Sequence, residues 1–111
     1  MTTKVGAAVD LGSNSVHLLV AGVTDHRLEP LVDESVFLGL GGDVDTEGRL
    51  GTTARASLVD VLVHYAEIAR GLGATEITFI GTEPIRRAAD AATIVHEVEA
   101  ATGVPLHVLA H

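Results

Sequence analysis

Short apolar runs separated by polar turns open the chain and predict three consecutive β-strands. Residues 5–9 (VGAAV) are almost wholly apolar, which is typical of a central strand buried on both faces. After the polar stretch 10–15, residues 15–23 (SVHLLVAGV) predict a second strand. A short turn then precedes residues 28–40, an irregular third strand that Pro30 assigns to a sheet edge. The pattern therefore predicts an antiparallel meander.

The periodicity changes after residues 41–51, whose many Gly and Asp residues predict a loop. Apolar residues then recur three and four positions apart, which predicts an amphipathic helix. We expect Thr52 or Thr53 to cap this helix and Gly71 or Gly73 to end it. The later segments predict a strand at 76–81 and a helix start at 82–89, with Pro84 in the first turn. They also predict a second helical segment at 91–102, which Asp90 caps, and a last strand at 104–110. The order βββαβαβ predicts a five-stranded mixed sheet flanked by helices, with later strands parallel to the first.

The composition indicates one small domain with an aliphatic core. The 111 residues include two Phe, one Tyr and no Trp, so Val, Leu, Ile and Ala must fill the interior. The lack of cysteine excludes disulfides and thiol chemistry and suits a reducing compartment. No apolar run approaches the roughly 18 residues of a membrane helix. We therefore expect a cytoplasmic protein.

The charge balance narrows the range of partners. Seven Lys and Arg residues stand against fifteen Asp and Glu residues, for a net charge of −8. Proteins that bind nucleic acid need a basic patch to neutralise phosphates, and the sequence offers none. Binding to anionic membranes is disfavoured for the same reason. A phosphate ligand would have to be held by backbone N–H groups, a metal ion or one well-placed arginine.

The sequence does not match several well-known nucleotide-binding and metal-binding motifs. The Gly-rich stretches match neither a dinucleotide fingerprint nor a Walker loop. Residues 43–48 (DVDTEG) imitate the start of a calcium loop, but the twelfth position is Ala54 where a bidentate Glu is required. Among the six histidines, His17 stands out because it follows the polar stretch 10–15. Strand alternation places it with Leu19, which predicts a hydrogen-bonded packing role.

The polar stretch 10–15 (DLGSNS) carries the main candidate chemistry. Asp10 ends a buried strand, where a carboxylate is costly unless it points outward at the carboxyl edge of the sheet. Gly12 permits a close backbone approach, and Ser13, Asn14 and Ser15 supply small polar groups. Backbone N–H groups and hydroxyls form an anion cradle, and a neighbouring carboxylate can hold Mg²⁺ through water. A plain hairpin turn explains these residues equally well.

The same residues carry a family likeness. Residues 7–20 (AAVDLGSNSVHLLV) resemble the first phosphate loop of the exopolyphosphatase / guanosine pentaphosphate phosphohydrolase family, within the actin, sugar-kinase and chaperone-ATPase superfamily. Residues 81–91 (GTEPIRRAADA) and 101–109 (ATGVPLHVL) resemble the same family. The resemblance implies that residues 1–111 form a ribonuclease-H-like (actin-like ATPase) α/β lobe. The second half of a two-lobed phosphatase would then lie outside this chain.

The resemblance also implies a function and a set of site residues. The lobe would serve Mg²⁺-assisted attack of water on inorganic polyphosphate or guanosine pentaphosphate, with release of orthophosphate. By the same resemblance Asp10 helps to hold the metal, and phosphate is contacted by Gly12, Ser13, Asn14, Ser15 and Arg86. Thr82 and Glu83 are weaker candidates at the same cleft. The family's catalytic Glu lies beyond His111, so this chain contains no catalytic residue and is expected to be inactive alone.

Two departures from the family keep other interpretations open. Phe37 stands where the family often has Arg, and Asp90 stands where it usually has Asn. A non-catalytic lobe that binds a phosphorylated ligand or a partner protein is the main alternative. A relative of sugar or acetate kinases that shares only the loop is a third. Because phosphatases of this superfamily often pair, a homodimer is also open.

Overall fold

Residues 4–110, the part of the chain that the computed structural model describes, form a five-stranded sheet and four helices. In chain order the elements are β1 (Lys4–Leu11), β2 (Ser15–Thr24), β3 (Arg27–Phe37), α1 (Leu40–Glu47), α2 (Thr52–Gly71), β4 (Glu76–Gly81), α3 (Glu83–Arg87), α4 (Ala91–Thr102) and β5 (Leu106–Val108). The sheet order is β3-β2-β1-β4-β5. The first three strands are antiparallel, whereas β4 and β5 run parallel to β1. This confirms the predicted mixed sheet and its connections.

The core lies on one face of the sheet. Ala7, Val9 and Leu11 of β1 are buried, and they share one apolar cluster with the inward faces of the helices. Ala8 and Asp10 alternate with them and are exposed. The prediction that this strand is buried on both faces is therefore wrong. The described helices all pack on the same face of the sheet, so the opposite face of β1 is left open to solvent. The small residues of this strand, such as Ala8, can be exposed at little cost.

The segment predicted as a loop at 41–51 contains a helix. Helix α1 begins after Gly39, whose φ of 65° lies in the left-handed region that favours glycine. Its buried residues Leu40 and Val44 lie one turn apart and join the core cluster. The segment has poor helix propensity, so tertiary burial rather than local preference stabilises this helix. Strand β3 accordingly ends at Phe37, earlier than predicted.

The N-terminus of α2 is held from a distant helix. Gly51, rather than Thr52 or Thr53, occupies the N-cap position, and no side chain caps locally. The Asp90 carboxylate, at the start of α4, accepts the Leu50 and Gly51 N–H groups at 3.0 Å each. The predicted threonine caps are wrong because a carboxylate from across the fold supplies the acceptors.

The same carboxylate binds an arginine, and together these groups form what we call the Asp90 clamp. Arg55 Nη1 donates to Asp90 Oδ2 at 2.8 Å, and Arg55 Nε donates to Glu97 Oε1 at 2.7 Å. The clamp joins the first turn of α2 to the N-cap and second turn of α4. Asp90 does stand at the N-cap position of α4, as predicted, but its side chain makes no cap bond there.

Asp90 makes the stability of the fold sensitive to acid. Burial alone would raise the pKa of this carboxyl group. The hydrogen bonds from Leu50, Arg55 and Gly51 outweigh burial and hold the pKa below its usual value. A depressed pKa in the folded state contributes stability above the unfolded-state value, about 3.9 for Asp, and that contribution is lost as the pH falls further.

We therefore expect the free energy of unfolding to fall below about pH 4 in part because Asp90 becomes protonated. Urea unfolding measured between neutral and acidic pH would test this. The difference in stability between the native chain and Asp90→Asn should be largest near neutral pH and shrink as the pH falls. A difference that stays constant down to the acid transition would contradict it.

Helices within the described residues are either too short or insufficiently apolar to traverse a lipid bilayer.

The elements predicted after residue 75 are present as strands and helices in the predicted order. Helix α3 follows Thr82 at its N-cap, and Pro84 lies in its first turn. Strand β5 covers only part of the predicted segment 104–110.

Candidate phosphate-binding site

The stretch between β1 and β2 is closed into a tight turn at the carboxyl edge of β1. The Gly12 N–H donates to the Ser15 carbonyl at 3.0 Å. The Asn14 carbonyl accepts two further backbone N–H groups, those of Leu38 and Gly39, at 2.9 Å each. These bonds fasten the turn to the end of β3, so its conformation does not depend on local residues alone.

Helix α1 fixes the same turn from a second side. The Gly41 N–H donates to the Ser13 carbonyl at 2.8 Å. A Cβ atom at position 41 would lie 1.9 Å from Ser13 Oγ and 3.1 Å from Ser13 Cβ, so a side chain here would require the Ser13 hydroxyl to rotate and the turn to move by a few tenths of an ångström. Sequence reasoning missed Gly41 as a site residue. The only local signal was the run of glycines after the third strand.

The bonding pattern leaves unpaired donors on the outer side of the turn. The carbonyl groups of Ser13, Asn14 and Ser15 all accept backbone N–H groups. The N–H groups of Ser13 and Asn14, by contrast, find no acceptor anywhere in residues 4–110. Both residues are exposed. Consecutive unpaired N–H groups and neighbouring serine hydroxyls supply the kind of donors that bind an anion.

Asp10 lies next to this turn on the open face of the sheet. Its neighbours in the strand register are His17 on β2 and Ile80 on β4, and its side chain is exposed. The outward orientation matches the expectation that a carboxylate ending this strand avoids burial. His17 Nε2 donates to Asp33 Oδ1 at 2.5 Å. The predicted hydrogen bond of His17 is therefore present, but on an exposed surface.

The residues around Asp10 fit a lightly coordinated Mg²⁺ ion. Residues 4–110 contain no cluster of three or more His, Asp or Glu side chains that converge on one point. An all-protein metal cage is therefore not formed by this part of the chain. Mg²⁺ usually keeps several waters and binds one or two carboxylates together with substrate phosphates. Asp10 would supply the single carboxylate of such a site, whereas the N–H groups of Ser13 and Asn14 are donors and would hold the phosphate.

Arg86 lies at the same edge of the sheet, on α3. The helix follows β4 directly, and Gly81 at the end of β4 pairs with Leu11 of β1. Arg86 Nη1 donates to the Leu109 carbonyl at 2.8 Å, and Nη2 lies 4.0 Å from a carboxylate oxygen of Glu83. The guanidinium group therefore joins the end of β5 to α3, and a quarter of the side chain is exposed.

The neighbouring arginine has a different role. Arg87 donates to Asp45 of α1 at 2.8 Å and to Glu83 at 3.1 Å. Its side chain is exposed and bridges α3 to α1.

A comparison with protein-family models matches residues 19–111 to the Ppx/GppA phosphatase family. The chain belongs to this family. The match spans most of the chain and confirms the resemblance noted in the sequence.

Members of the Ppx/GppA family with curated names include two informative relatives. Exopolyphosphatase 1 of Mycobacterium leprae is 30% identical over 102 residues, which are 91% of this chain and 30% of that protein. Guanosine-5'-triphosphate,3'-diphosphate pyrophosphatase of Vibrio cholerae is 29% identical over 109 residues, which are 98% of this chain and 22% of that protein. The chain thus spans a third or less of the length of these relatives.

The fold of this Ppx/GppA lobe agrees with solved structures. The crystal structure of the Aquifex aeolicus family member superposes with a TM-score of 0.92 at 27% identity. The superposition covers 97% of this chain and 35% of that one. This agreement confirms the predicted ribonuclease-H-like, actin-like ATPase lobe with its five-stranded mixed sheet.

Proposed function

We propose that this chain is the N-terminal lobe of a phosphohydrolase that cleaves phosphoanhydride bonds in inorganic polyphosphate or guanosine pentaphosphate. Membership of the Ppx/GppA family and the names of the relatives support this reaction class. The observation that carries the proposal within this chain is the turn at residues 12–15. The carbonyl groups of Ser13 and Asn14 accept N–H groups from residues 38–41, and the N–H groups of Ser13 and Asn14 have no acceptor within residues 4–110.

The turn binds a phosphate group through its backbone. The N–H groups of Ser13 and Asn14 and the hydroxyls of Ser13 and Ser15 donate to the phosphate oxygens. Gly12 supplies the close approach, because its position has no side chain between the backbone and the ligand. Since β3 and α1 hold the turn, little conformational entropy is lost on binding. This matters in a chain with a net charge of −8, which does not attract anions at long range.

Asp10 holds Mg²⁺, and Arg86 provides a guanidinium group at the same edge. When bound, Mg²⁺ would neutralise phosphate charge and so favour attack on phosphorus. Arg86 would bind phosphate in a bidentate manner by exchanging its present contacts, which include the Leu109 carbonyl and Glu83, for the ligand. The carboxylate base that orients the water is supplied from outside this chain.

Two binding measurements test this proposal. Isothermal titration of residues 1–111 with inorganic tripolyphosphate should give weak binding that Mg²⁺ strengthens about tenfold, or roughly 1.4 kcal/mol. In Asp10→Ala the Mg²⁺-dependent gain should disappear, whereas binding without Mg²⁺ should persist. Asp60→Ala, which removes an exposed carboxylate from α2, is the matched control and should behave like the native chain.

Activity assays distinguish the catalytic from the non-catalytic interpretation. Purified residues 1–111 should release no phosphate from polyphosphate or guanosine pentaphosphate, with or without Mg²⁺. Measurable Mg²⁺-dependent release would contradict the assignment of the base to a part outside this chain. If Asp10→Ala keeps the full Mg²⁺-dependent gain in affinity, Asp10 is not a metal ligand and a lobe that only binds phosphorylated ligands is favoured.

A further inference from the structure

Helix α1 contacts both of the elements that carry the proposed phosphate-binding groups. At its N-terminal end the Gly41 N–H donates to the Ser13 carbonyl at 2.8 Å, which joins α1 to the turn at residues 12–15. We call this turn the phosphate loop. Helix α1 also packs against α3, the helix that carries Arg86. One short helix therefore touches the loop at one end and the support of the arginine at the other.

An ion pair joins α1 to α3. Arg87 Nη2 donates to Asp45 Oδ1 at 2.8 Å, and Arg87 Nε lies 3.1 Å from Glu83 Oε1, one turn earlier in α3. The contact with Glu83 orients the guanidinium group, whose other nitrogen reaches α1. A backbone bond accompanies the pair, because the Ala89 N–H donates to the Gly48 carbonyl at 2.8 Å. The second half of α1 is thus tied to α3 and to the residues that follow it.

Helix α1 depends on such contacts because its own sequence holds it weakly. It has eight residues, two of which are glycine. On either side of it, Gly39 and Gly48 have φ angles of 65° and 75°, in the left-handed region. Leu40 and Val44 anchor one side of the helix in the core. An anchor on one side leaves the helix able to pivot, and the bonds at its two ends oppose that motion.

The sheet fixes the phosphate loop and α3 only where they leave their strands. Leu11, directly before the loop, pairs with Gly81, two residues before α3. Beyond these strand ends, α1 completes the connection, since it bonds the loop and also bonds Arg87, the neighbour of Arg86. The separation between the loop and Arg86 therefore depends on the contact between α1 and α3.

We propose that Asp45 and Arg87 are positioning residues for phosphate binding. By holding α3 to α1, they keep Arg86 at the distance from the phosphate loop at which both groups bind neighbouring phosphates of one ligand. This rests on the proposed function, which takes the loop and Arg86 as the phosphate-binding groups. A ligand with a single phosphate is held by the loop alone and does not depend on that distance.

The substitution Asp45→Asn separates positioning from simple electrostatics by the sign of its effect. It removes a negative charge from an acidic chain, which by itself favours an anionic ligand. Positioning predicts the opposite: affinity for inorganic tripolyphosphate with Mg²⁺ should fall about threefold, the scale of one exposed ion pair. Affinity for orthophosphate should not fall. Because both side chains of the pair are exposed, the midpoint of thermal unfolding should hardly change.

A double-mutant cycle tests whether Asp45 acts through Arg87. Arg87→Gln should also weaken tripolyphosphate binding, and adding Asp45→Asn to it should cause no further loss. Arg87→Lys, which keeps the charge, should retain most of the affinity. The controls are Asp60→Asn and Arg49→Gln, each of which removes an exposed charge elsewhere. Both should bind tripolyphosphate within twofold of the native chain.

Nuclear magnetic resonance spectra recorded during each titration show which group the ligand reaches. In the native chain, saturating tripolyphosphate should shift the signals of the Ser13 amide and of Arg86 Nε–H. In Asp45→Asn the Ser13 amide should shift as before, whereas the change at Arg86 Nε–H should be smaller. A merely structural role of the ion pair would leave the Arg86 response as it is in the native chain.

The outcomes separate failure of this inference from failure of the proposed function. Arg86→Gln should weaken tripolyphosphate binding more than either variant of the ion pair. If it does so, but Asp45→Asn leaves that binding unchanged, strengthens it or weakens orthophosphate by the same factor, the positioning role is overturned and the proposed function stands. If Arg86→Gln has no effect, or if the folded native chain binds neither ligand, the phosphate-binding assignments fail and the positioning role fails with them.

Discussion

Replacing Gly41 with alanine is expected to disable the phosphate loop. The added Cβ would lie 1.9 Å from Ser13 Oγ and 3.3 Å from the Ser13 carbonyl oxygen. The hydroxyl must rotate away and the turn must shift, because the backbone bond between the two residues leaves no slack. We expect a loss of about 1–3 kcal/mol in the free energy of unfolding, as for overpacking in a core. Affinity for tripolyphosphate with Mg²⁺ should fall at least tenfold, about 1.4 kcal/mol or more.

The neighbouring glycine provides the matched control for this substitution. Apart from its chain neighbours and the nearby backbone of α1, no atom of the described residues comes within 4 Å of a Cβ placed at Gly42. Gly42→Ala should therefore leave binding unchanged and stabilise α1, by up to about 1 kcal/mol from helix propensity. In the double variant Gly41→Ala with Ser13→Gly, stability should recover in part, because Ser13 Oγ and Cβ are gone and only the 3.3 Å contact with the backbone carbonyl oxygen remains. Native tripolyphosphate affinity in Gly41→Ala would show that the close approach is not needed for binding.

Asp90→Ala is expected to be the most destabilising single change at a polar residue. The Asp90 side chain is 12% exposed and accepts three hydrogen bonds, from Leu50 N–H, Gly51 N–H and Arg55. Its removal leaves two backbone donors and part of a guanidinium group without their acceptor. We expect the free energy of unfolding to fall by about 3 kcal/mol. In a domain of this size the midpoint of thermal unfolding should fall by roughly 12–24 °C.

Urea denaturation would measure this loss as a lower midpoint with an unchanged slope. Asp90→Asn keeps the shape and one acceptor oxygen, so its loss should be intermediate. Asp60→Ala removes an exposed carboxylate and should change stability by no more than about 0.5 kcal/mol. Equal stability of Asp90→Ala and the native chain would mean that water replaces the lost acceptor without cost.

The main errors of the sequence reasoning share a physical cause. The segment 41–51 has weak helix propensity, and α1 forms because Leu40 and Val44 reach the core. The threonine caps of α2 failed because Asp90, about 40 residues away, supplies the acceptors. In each case a long-range contact outweighed a local preference, and such contacts leave no periodic trace in a sequence.

In the candidate site, too, local features were visible in the sequence, whereas long-range contacts were not. Asp10 and the residues of the turn 12–15 are contiguous, so their chemistry was visible in one short stretch. Nothing local indicated that Gly41 would pack against Ser13. The shallow depression that Phe37, Leu40 and Asp43 line likewise exists only because α1 lies beside the end of β3. From the sequence, Phe37 was noted only as a residue that replaces an arginine of the family, and Asp43 was placed in a solvated loop.

Hydrophobic period and adjacent residues were enough to predict the strands, the helices other than α1, the mixed sheet and the loop that carries the polar groups. The tertiary structure alone decided which face of β1 is covered, which donors of the loop stay unpaired, and which distant side chains complete the site. Those outcomes depend on burial and hydrogen bonding between residues far apart in the chain, for which local propensity carries no information.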